Sequence, residues 1–340
     1  MREPSFWWSK AGPVAWLLQP LALIYGAVAA SRMRKAGARA GIPVICVGNF
    51  TLGGAGKTPT AIAVARILID SGNAPFFLSR GYGGKLAGPV RVDPAVHSAA
   101  DVGDEPLLLA RHAPTIVSQD RVAGAAFARE AGADIIVMDD GLQNPSLQKD
   151  LKIAVIDARR LLGNGFVFPA GPLRAPLKAQ LGIANCILLI GDGRQTPPAI
   201  AALTQSDKRP LMRGRLEPDA NAVKALGRRK VLAFAGIGDP EKFFMTLAGA
   251  GLEAMAEESF PDHHPYDGTD AQRLLALAEA KNLIPVTTEK DLVRLSGHDR
   301  ALATLAAKAR AIPVTLMFED SAAVKKLVLR ALQTAPQGKA

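Results

Sequence analysis

The sequence predicts an α/β protein built on a doubly wound, mostly parallel sheet. Helical and strand-like runs alternate along its 340 residues, and such alternation is typical of parallel sheets. A glycine-rich segment at residues 51–58 joins an apolar run to a helical one, and another apolar run ends in paired aspartates. These are the parts of a P-loop NTPase core. A smaller C-terminal α/β domain and an N-terminal apolar, membrane-associated helix complete the predicted architecture.

The predicted strands are short apolar runs separated by helical segments. The first core helix is predicted at residues 60–69. Between residues 195 and 229 the pattern weakens into prolines, aspartates and arginines, which is typical of a boundary. We therefore predict an N-terminal segment at 1–36, a P-loop core at 37–215 and a smaller domain at 216–335. The core strands are predicted at 42–47, 75–78, 115–117, 135–138, 153–156 and 186–190, and those of the smaller domain at 231–235, 284–287 and 314–318.

The glycine-rich segment has the composition of a phosphate-binding loop. Closely spaced glycines let backbone N–H groups turn toward phosphate oxygens, and the following helix points its positive end at the same place. Lys57 then neutralises charge on the β- and γ-phosphates, and the Thr58 hydroxyl is a ligand for Mg²⁺. Thr51 stands where the usual spacing has its first glycine. The predicted ATP-binding residues are Thr51, Leu52, Gly53, Gly54, Ala55, Gly56, Lys57 and Thr58.

Two carboxylates, Asp139 and Asp140, follow the apolar run at 135–138. A continuous apolar run indicates a strand buried on both faces of a parallel sheet, and its carboxyl end lies beside the phosphate loop. Asp139 or Asp140 can therefore hold Mg²⁺ or its waters, as a Walker B acid does. The sequence thus predicts ATP and Mg²⁺ as cofactors.

The charge distribution narrows the classes of partner. The net charge is +10, and basic proteins of this kind bind phosphates, nucleic acid or anionic lipid. The excess is uneven, because no acidic residue lies between Glu3 and Asp70. Arginines and aromatics are not interleaved, so nucleic acid is disfavoured, and no protein partner is predicted. Cys46 and Cys186 lie in separate apolar runs, which indicates buried free thiols in a reducing compartment.

The segment from residue 11 to residue 31 is uncharged, and a bilayer crossing requires about 20 such residues. One interpretation is a cleaved signal peptide, but it would export an ATP-binding protein to a compartment without ATP. A second is a spanning helix, although Pro20 falls in its middle. We favour a third, a helix lying in the interface of an anionic membrane surface. It would place Trp7, Trp8 and Trp16 at headgroup depth and use the basic cluster Arg32, Arg34, Lys35 and Arg39.

Three further polar segments do not look like scaffold. A glycine-rich loop with Arg80 and Tyr82 follows a predicted strand and faces the same crevice as the phosphate loop. Paired carboxylates at residues 104 and 105 mark a predicted helix start, where capping is an equally good explanation. Residues 260–266 gather a carboxylate and two imidazoles, a composition also found in solvated turns. Zinc is disfavoured there, because His263 and His264 lack a third ligand at suitable spacing.

Taken together, these motifs resemble the tetraacyldisaccharide 4'-kinase family of lipid A biosynthesis. The resemblance extends from the first helix to about Leu295 and includes the apolar N-terminus. It implies a P-loop core, a smaller C-terminal α/β domain, and transfer of the γ-phosphate of ATP to the 4'-hydroxyl of a tetraacyldisaccharide 1-phosphate. The motifs are Gly53-Gly54-x-Gly56-Lys57-Thr58-Pro59, Ser79-Arg80-Gly81-Tyr82, Gly103-Asp104-Glu105-Pro106, Asp139-Asp140-Gly141-Leu142-Gln143, Pro169-Ala170-Gly171-Pro172-Leu173-Arg174, Asp262-His263 and Thr288-Glu289-Lys290-Asp291.

The resemblance also implies roles for individual side chains. Asp104 matches the catalytic base and His263 its partner, while Lys57 serves both binding and catalysis. A carboxylate kept competent by an imidazole can take the proton of a sugar hydroxyl as the bond to phosphorus forms. The implied location is the cytoplasmic face of the inner membrane, peripheral or anchored by the N-terminal helix. The implied lipid-binding residues are Arg80, Tyr82, Arg121, Gln143 and Arg174.

Two positions depart from the family pattern, and two other classes of protein remain open. Asn144 stands where the family often has His, and Ala175 where Glu often follows the arginine, so neither receives a role. One alternative is a P-loop GTPase metallochaperone that uses His263 and His264. It would carry a guanine-reading Asn-Lys-x-Asp segment, an order that residues 288–291 lack. A membrane-tethered binding module without turnover is disfavoured by the intact Lys57.

Overall fold

The structure, a computed structural model, describes residues 3–191, 196–201, 209–295 and 299–334. Residues 1, 2 and 335, which bound the predicted terminal domains, and residue 195 at the start of the predicted boundary region lie outside these ranges. The strands are β1 (Val44–Asn49), β2 (Pro75–Ser79), β3 (Val90–Arg91), β4 (Thr115–Val117), β5 (Ile135–Asp139), β6 (Leu151–Asp157), β7 (Cys186–Ile190), β8 (Leu211–Pro218), β9 (Val231–Ala235), β10 (Ala254–Ser259), β11 (Ile284–Thr287), β12 (Arg310–Ala311) and β13 (Val314–Phe318).

Helices connect most of these strands. They are α1 (Pro13–Leu17), α2 (Gln19–Met33), α3 (Lys57–Ile69), α4 (Ala99–Val102), α5 (Asp104–Leu109), α6 (Arg121–Glu130), α7 (Leu177–Ile183), α8 (Ala220–Leu226), α9 (Pro240–Gly249), α10 (Gly268–Ala280), α11 (Glu289–Arg294), α12 (Arg300–Lys308) and α13 (Ser321–Thr334).

The larger sheet has nine strands in the order β13-β8-β7-β6-β1-β5-β2-β4-β3. All neighbours from β8 to β4 are parallel, and only the outer strands β13 and β3 run antiparallel. The chain fills one side of β1 with β2, β4 and β5, and then crosses to the other side with β6, β7 and β8. This reversal makes the carboxyl end of β1 a topological switch point, where α/β sheets bind ligands.

The parallel strands are buried on both faces, as their apolar runs predict. Along β1, Val44 and Cys46 pack into one core cluster, whereas Ile45 and Val47 pack into the cluster on the opposite face. Helix α3 covers the second face. Cys46 and Cys186 are both free and buried, which confirms the predicted thiols.

A smaller sheet of four parallel strands, in the order β10-β9-β11-β12, forms the second body. Its two faces carry separate clusters, one around Phe234 and Leu274 and the other around Phe243 and Leu247. Sequence patterns did not predict β10, because its residues alternate between partly buried and exposed and include two glutamates. The short strands β3 and β12, and strand β8 next to the outer strand β13, also went unpredicted.

The end of the chain returns to the larger sheet. The strand at 314–318, which the sequence assigned to the smaller domain, pairs antiparallel with β8. β8 itself runs from Leu211 to Pro218, across the predicted boundary between 215 and 216. Two arginines and a glycine interrupt the apolar pattern of β8, which is why the region resembled a linker. We propose that the second body comprises residues 220–312, because α13 packs on the larger sheet through Val324 and Val328.

The uncharged N-terminal segment forms two helices, α1 and α2, instead of one. Pro20 lies in the first turn of α2, where its missing N–H and fixed φ are tolerated. None of the helices within the described residues combines the length and apolar character that crossing a bilayer requires. The exposed apolar side chains of α1 and α2 are Val14, Trp16, Leu17, Leu21, Leu23, Ile24, Tyr25 and Val28.

Two of the three tryptophans predicted at headgroup depth instead pack against the protein. Trp7 is buried and donates a hydrogen bond from Nε1 to the Pro169 carbonyl over 3.0 Å. Trp8 donates to Glu3 over 3.0 Å, and the Arg160 guanidinium stacks 4.6 Å from its ring centroid. Only Trp16 is exposed, so the predicted tryptophan belt is wrong for Trp7 and Trp8.

Candidate active site

The phosphate loop lies at the carboxyl end of β1, at the switch point of the larger sheet. Gly56 has a φ of +89°, a left-handed conformation that glycine adopts without strain, and α3 begins directly after it. The helix therefore starts at Lys57, earlier than the predicted residue 60. Lys57 is buried, and its Nζ donates to the Gly53 carbonyl over 3.3 Å. The loop thus curls around a buried cation, and burial lowers the pKa of Lys57.

Asp139 and Thr58 come together because their strands are neighbours. β5 pairs with β1 in a register that sets Asp139 opposite Val47. The Thr58 hydroxyl donates to Oδ2 of Asp139 over 3.1 Å, while the buried Oδ1 has no hydrogen-bond partner among the described residues. Burial, with the charges of Glu105 and Asp140, raises the pKa of Asp139 to about 7. A hydroxyl beside an unsatisfied buried carboxylate oxygen is an oxygen donor set that fits Mg²⁺.

Asp140 is engaged differently from Asp139. Its φ of +56° is unusual for a residue with a side chain. Both carboxylate oxygens accept hydrogen bonds of 2.9 Å from Arg174, and Lys57 Nζ lies 3.7 Å from Oδ2. Burial alone would raise the pKa of Asp140, but Arg174 and Lys57 outweigh it and hold it at about 2. Because Arg174 also donates to the Thr51 carbonyl over 2.8 Å, this predicted lipid-binding residue lies on the phosphate loop.

Asp104 and His263, far apart in sequence, meet where the two bodies face each other. Asp104 begins α5 and is only 4% exposed, and His263 Nδ1 lies 3.3 Å from its Oδ2. Arg294 donates to the same oxygen from Nε over 2.8 Å and also from Nη2. Burial alone would raise the pKa of Asp104, but His263, Arg294 and Lys290 hold it well below its usual range. The geometry therefore maintains a buried carboxylate in its ionised form.

Lys290 and Arg294 are site residues that sequence reasoning missed. Lys290 Nζ donates to Glu105 Oε1 over 2.8 Å, next to the Arg294 contact with Asp104. Burial alone would lower the pKa of Lys290, but Glu105, Asp104 and Asp139 raise it, so the carboxylates of both sites surround this cation. The available signal was a pair of cations four positions apart after the predicted strand at 284–287, a spacing that places them on one face if the segment is helical.

The predicted lipid-binding loop lies against His263. Tyr82 is 64% exposed, and its ring centroid lies 5.2 Å from that of His263. Arg80 is exposed, whereas Arg121 is buried and donates from Nη1 to the Ser118 carbonyl. Burial and the charge of Arg80 lower the pKa of Arg121 to about 10. Two cations thus lie close together, an arrangement suited to an anionic group.

Gln143, Asn144 and Ala175 take part in the framework of the crevice. Gln143 Nε2 donates to the Asn49 carbonyl and to Gln180 Oε1, both over 2.7 Å. Asn144 Oδ1 accepts from the Ser146 backbone over 2.8 Å. Ala175 is fully buried, and its carbonyl accepts from Gln180 over 2.7 Å. The predicted lipid-binding role of Gln143 remains a prediction.

His264 points away from the crevice and into the second body. Its Nε2 lies 2.7 Å from Asp270 Oδ2, and its ring stacks on Phe260 with centroids 4.8 Å apart. The described part of the chain contains no group of three or more His, Cys, Asp or Glu side chains that could hold a metal ion. The metallochaperone alternative, which needs His263 and His264 to act together, is not supported.

Comparison with known proteins identifies the family. A model of the tetraacyldisaccharide-1-P 4'-kinase family matches residues 14–333. The chain belongs to this family. A tetraacyldisaccharide 4'-kinase of Bradyrhizobium sp. strain BTAi1 is 52% identical over 340 residues, covering 99% of this chain and 97% of the relative. The one of Methylobacterium nodulans is 55% identical over 338 residues, covering 99% and 98%.

A family member of known structure has the same fold. The crystal structure of LpxK from Aquifex aeolicus in complex with ATP is similar with a TM-score of 0.72 and 27% identity. The match covers 94% of this chain and 99% of that chain. The predicted family and the mixed α/β fold with a mainly parallel sheet are therefore confirmed, whereas the role of the N-terminal helices at a membrane is left to experiment.

Proposed function

We propose that the protein transfers the γ-phosphate of ATP to the 4'-hydroxyl of a tetraacyldisaccharide 1-phosphate. Membership of the kinase family supports the reaction. The observation that carries the proposal is the pairing of a phosphate loop with a second site built around an ionised carboxylate. Lys57 and Thr58 belong to the loop, and Asp104 and His263 belong to the second site. The carboxylates of both sites raise the pKa of Lys290. Phosphoryl transfer needs this division between charge neutralisation and acceptor activation.

Asp104 acts as the base in this proposal. It accepts the proton of the 4'-hydroxyl while that oxygen forms a bond to the γ-phosphorus. The bond from the γ-phosphorus to the β–γ bridging oxygen breaks, and ADP leaves with that oxygen's electron pair. His263, whose Nδ1 lies 3.3 Å from Asp104 Oδ2, orients the carboxylate that accepts the proton. Lys57 neutralises charge on the β- and γ-phosphates during the transfer.

The donor set at Thr58 and Asp139 suits Mg²⁺, which would neutralise phosphate charge when bound. Thr58 supplies a hydroxyl and Asp139 an unsatisfied buried oxygen. Asp140 is already held by Arg174 and Lys57, so it is the weaker ligand of the predicted pair. The remaining predicted ATP-binding residues, Thr51 to Gly56, wrap the phosphates through backbone N–H groups.

The lipid acceptor is proposed to approach from the side of Tyr82 and the N-terminal helices. Tyr82 lies beside His263, and Arg80 and Arg121 supply paired positive charge for an anionic group of the substrate. The exposed apolar side chains of α1 and α2 and the exposed basic cluster after them suit the surface of an anionic membrane. We propose a peripheral location on the cytoplasmic face of the inner membrane, where ATP is present.

A direct assay tests the proposed reaction. Purified protein is incubated with γ-labelled ATP, Mg²⁺ and tetraacyldisaccharide 1-phosphate in mixed micelles. We expect labelled lipid whose mass has increased by one phosphoryl group, with the label removed by a phosphatase and the phosphate located on the non-reducing sugar. A matched acceptor that lacks a free 4'-hydroxyl should remain unlabelled. Label on that control, or none on the natural acceptor, would contradict the proposal.

A further inference from the structure

Arg294 is a buried cation at the junction of the two bodies. It is 8% exposed and ends α11. Its Nε lies 2.8 Å from Asp104 Oδ2, its Nη2 donates to the same oxygen, and its Nη1 donates to Asp291 Oδ1 over 2.8 Å and to the Gly236 carbonyl over 2.6 Å. One guanidinium therefore ties the proposed base to two groups of the second body.

The far side of this guanidinium is fixed by a buried hydrogen-bond network. Asp291 is fully buried, and its Oδ1 also accepts from the Gly236 backbone over 2.9 Å and from the Tyr266 hydroxyl over 3.0 Å. Its Oδ2 accepts from Thr288 over 2.6 Å. A satisfied buried network of this kind is rigid. These contacts thus fix the Arg294 guanidinium in addition to its hydrogen bonds with Asp104.

The Gly236 carbonyl anchors both partners of the base. It accepts from the backbone N–H of His263 over 3.0 Å and from Nη1 of Arg294. A side chain at Gly236 would approach Asp291 and the Tyr266 hydroxyl to 3.1 Å, which is too close for an undisturbed network. The Gly236 carbonyl, directly after β9, therefore helps to hold both the His263 loop and the Arg294 guanidinium beside Asp104.

Helix α11 also packs against the first body, which is built on the larger sheet. Val293 packs into the core cluster of Val102, Leu107 and Val117, which belong to the larger sheet and its helices. Lys290, four positions before Arg294, binds Glu105 next to Asp104. The position of Arg294 relative to Asp104 is therefore set by apolar packing as well as by the ion pair.

The hydrogen bonds leave the two oxygens of Asp104 unequal. Oδ2 is occupied by Arg294 and lies 3.3 Å from His263 Nδ1, whereas Oδ1 accepts only from the backbone N–H of Glu105, over 3.0 Å, among the described residues. We propose that Arg294 is a positioning residue that occupies Oδ2 and thereby leaves Oδ1 of Asp104 to accept the proton of the acceptor hydroxyl. This inference rests on the proposed function and deepens it.

Arg294 also keeps Asp104 ionised, which gives the positioning role a pH signature. A base must be ionised to work, so its rate is lost as the pH falls through its pKa. Removing Arg294 raises the pKa of Asp104, because one of the charges that hold it low is gone. The loss of rate then begins at higher pH. The other charged groups around this carboxylate are Glu105, Lys290, Asp291, Asp262, His263 and Asp139.

The test compares Arg294→Met and Arg294→Lys with the wild-type protein. The Met variant should lower kcat roughly 10- to 100-fold, the effect of losing a buried charge-assisted hydrogen bond. Its KM for ATP should stay within about twofold of the wild-type value, since Arg294 touches no phosphate-loop residue. The acid limb of its pH–rate profile, where the rate falls with falling pH, should move to higher pH. Arg294→Lys keeps the charge but loses the planar fork, so it should restore the acid limb and only part of kcat. A wild-type kcat and acid limb in folded Arg294→Met would overturn the inference.

A double-variant cycle separates positioning from general support of the fold. If Arg294 acts through Asp104, Arg294→Lys should have little further effect in an Asp104→Asn background, measured as residual label transfer. An equal loss of kcat in both backgrounds would refute the role. Arg273→Met removes a half-exposed ion pair with Glu258 in the same body and should change neither kcat nor the pH profile. An inactive wild-type protein would instead refute the proposed function.

Discussion

Asp104 and Asp139 are about equally buried, at 4% and 3% exposure, yet the structure shifts their pKa values in opposite directions. Asp104 is surrounded by cations from the second body, and its pKa lies well below the usual range. Asp139 has Thr58 and two neighbouring carboxylates, and its pKa is raised to about 7. Burial alone therefore does not decide the state of these groups. The partners keep Asp104 in the unprotonated form that the proposed base requires, whereas Asp139 keeps an unsatisfied buried oxygen that fits a cation.

The two sites also differ in how they are assembled. The Asp139 site consists of neighbouring strands and a local loop of one body. The Asp104 site needs side chains from both bodies, because His263 and Arg294 belong to the second. Changes in the phosphate loop should therefore affect nucleotide chemistry, whereas changes at the junction should affect the acceptor step.

The largest expected effect is on the side of the phosphate loop. Lys57→Ala should lower kcat roughly 10³-fold, because Lys57 is the buried cation proposed to neutralise the β- and γ-phosphates during transfer. The measurement is label transfer from γ-labelled ATP, with circular dichroism to verify folding. Lys326→Ala removes an exposed lysine from α13 and should have no such effect. Near wild-type turnover by folded Lys57→Ala would disprove the assignment of the phosphate loop.

The next effect concerns the base. Asp104→Ala and His263→Ala should each lower kcat about 10²-fold or more, because both are proposed to contribute to one proton transfer. The double variant should lose much less than the product of the two single losses. ATP binding, followed with a fluorescent nucleotide analogue, should survive all three changes. Fully multiplicative losses would mean that Asp104 and His263 work separately.

The difference between the two sites also explains what could be predicted from the sequence. Lys57, Thr58 and Asp139 follow a local pattern of strand, loop and helix, so the sequence predicts that these three residues lie close together. Arg294 and Asp104 are 190 positions apart, and their contact depends on how the two bodies dock. No local sequence pattern predicts a contact between residues so far apart in the chain.

Strand prediction succeeded for the buried apolar runs and failed for strands that are partly buried or very short. The runs at 186–190, 231–235 and 284–287 are buried on both faces and were placed with their correct bounds. β8 lies near the sheet edge and is only partly buried, so arginines are tolerated within it. The pairing of β13 with β8 then reflects the return of the chain across the sheet, which strand propensity does not record.

A smaller effect should distinguish the metal ligand from the base. Thr58→Ala should raise the Mg²⁺ concentration for half-maximal rate about 10-fold, because one oxygen of the donor set is lost. Asp104→Asn should leave that Mg²⁺ midpoint unchanged while lowering kcat. Thr304→Ala removes an exposed hydroxyl from α12 and serves as the control. An unchanged Mg²⁺ titration in Thr58→Ala would count against its role as a ligand.

The smallest expected effect on catalysis lies outside both sites, at the basic cluster Arg32, Arg34, Lys35 and Arg39. Attraction to anionic lipid contributes about 1 kcal/mol per cation near the surface, and salt screens it. Replacing the four residues by Gln removes about 4 kcal/mol of this attraction at low salt. The affinity for phosphatidylserine-containing vesicles, measured by co-sedimentation, should therefore fall roughly 10³-fold at low salt and much less at high salt. Replacing Lys224, Lys281, Lys325 and Lys326, which are exposed elsewhere, changes the net charge equally and should have little effect.

Kinetics on the same variants connect this surface to the two aspartates. The four-Gln variant should lose rate on lipid presented in vesicles, while its KM for ATP and its Mg²⁺ midpoint stay at wild-type values, because the four substituted side chains are exposed and lie outside both sites. High salt or alkaline carbonate should release part of the bound wild-type protein, since an interfacial helix is held partly by charge. Complete retention through both washes would contradict the interfacial interpretation. Absence of binding to any vesicle would exclude a membrane role for the N-terminal helices, and the acceptor would then have to reach Tyr82 from micelles or from a carrier.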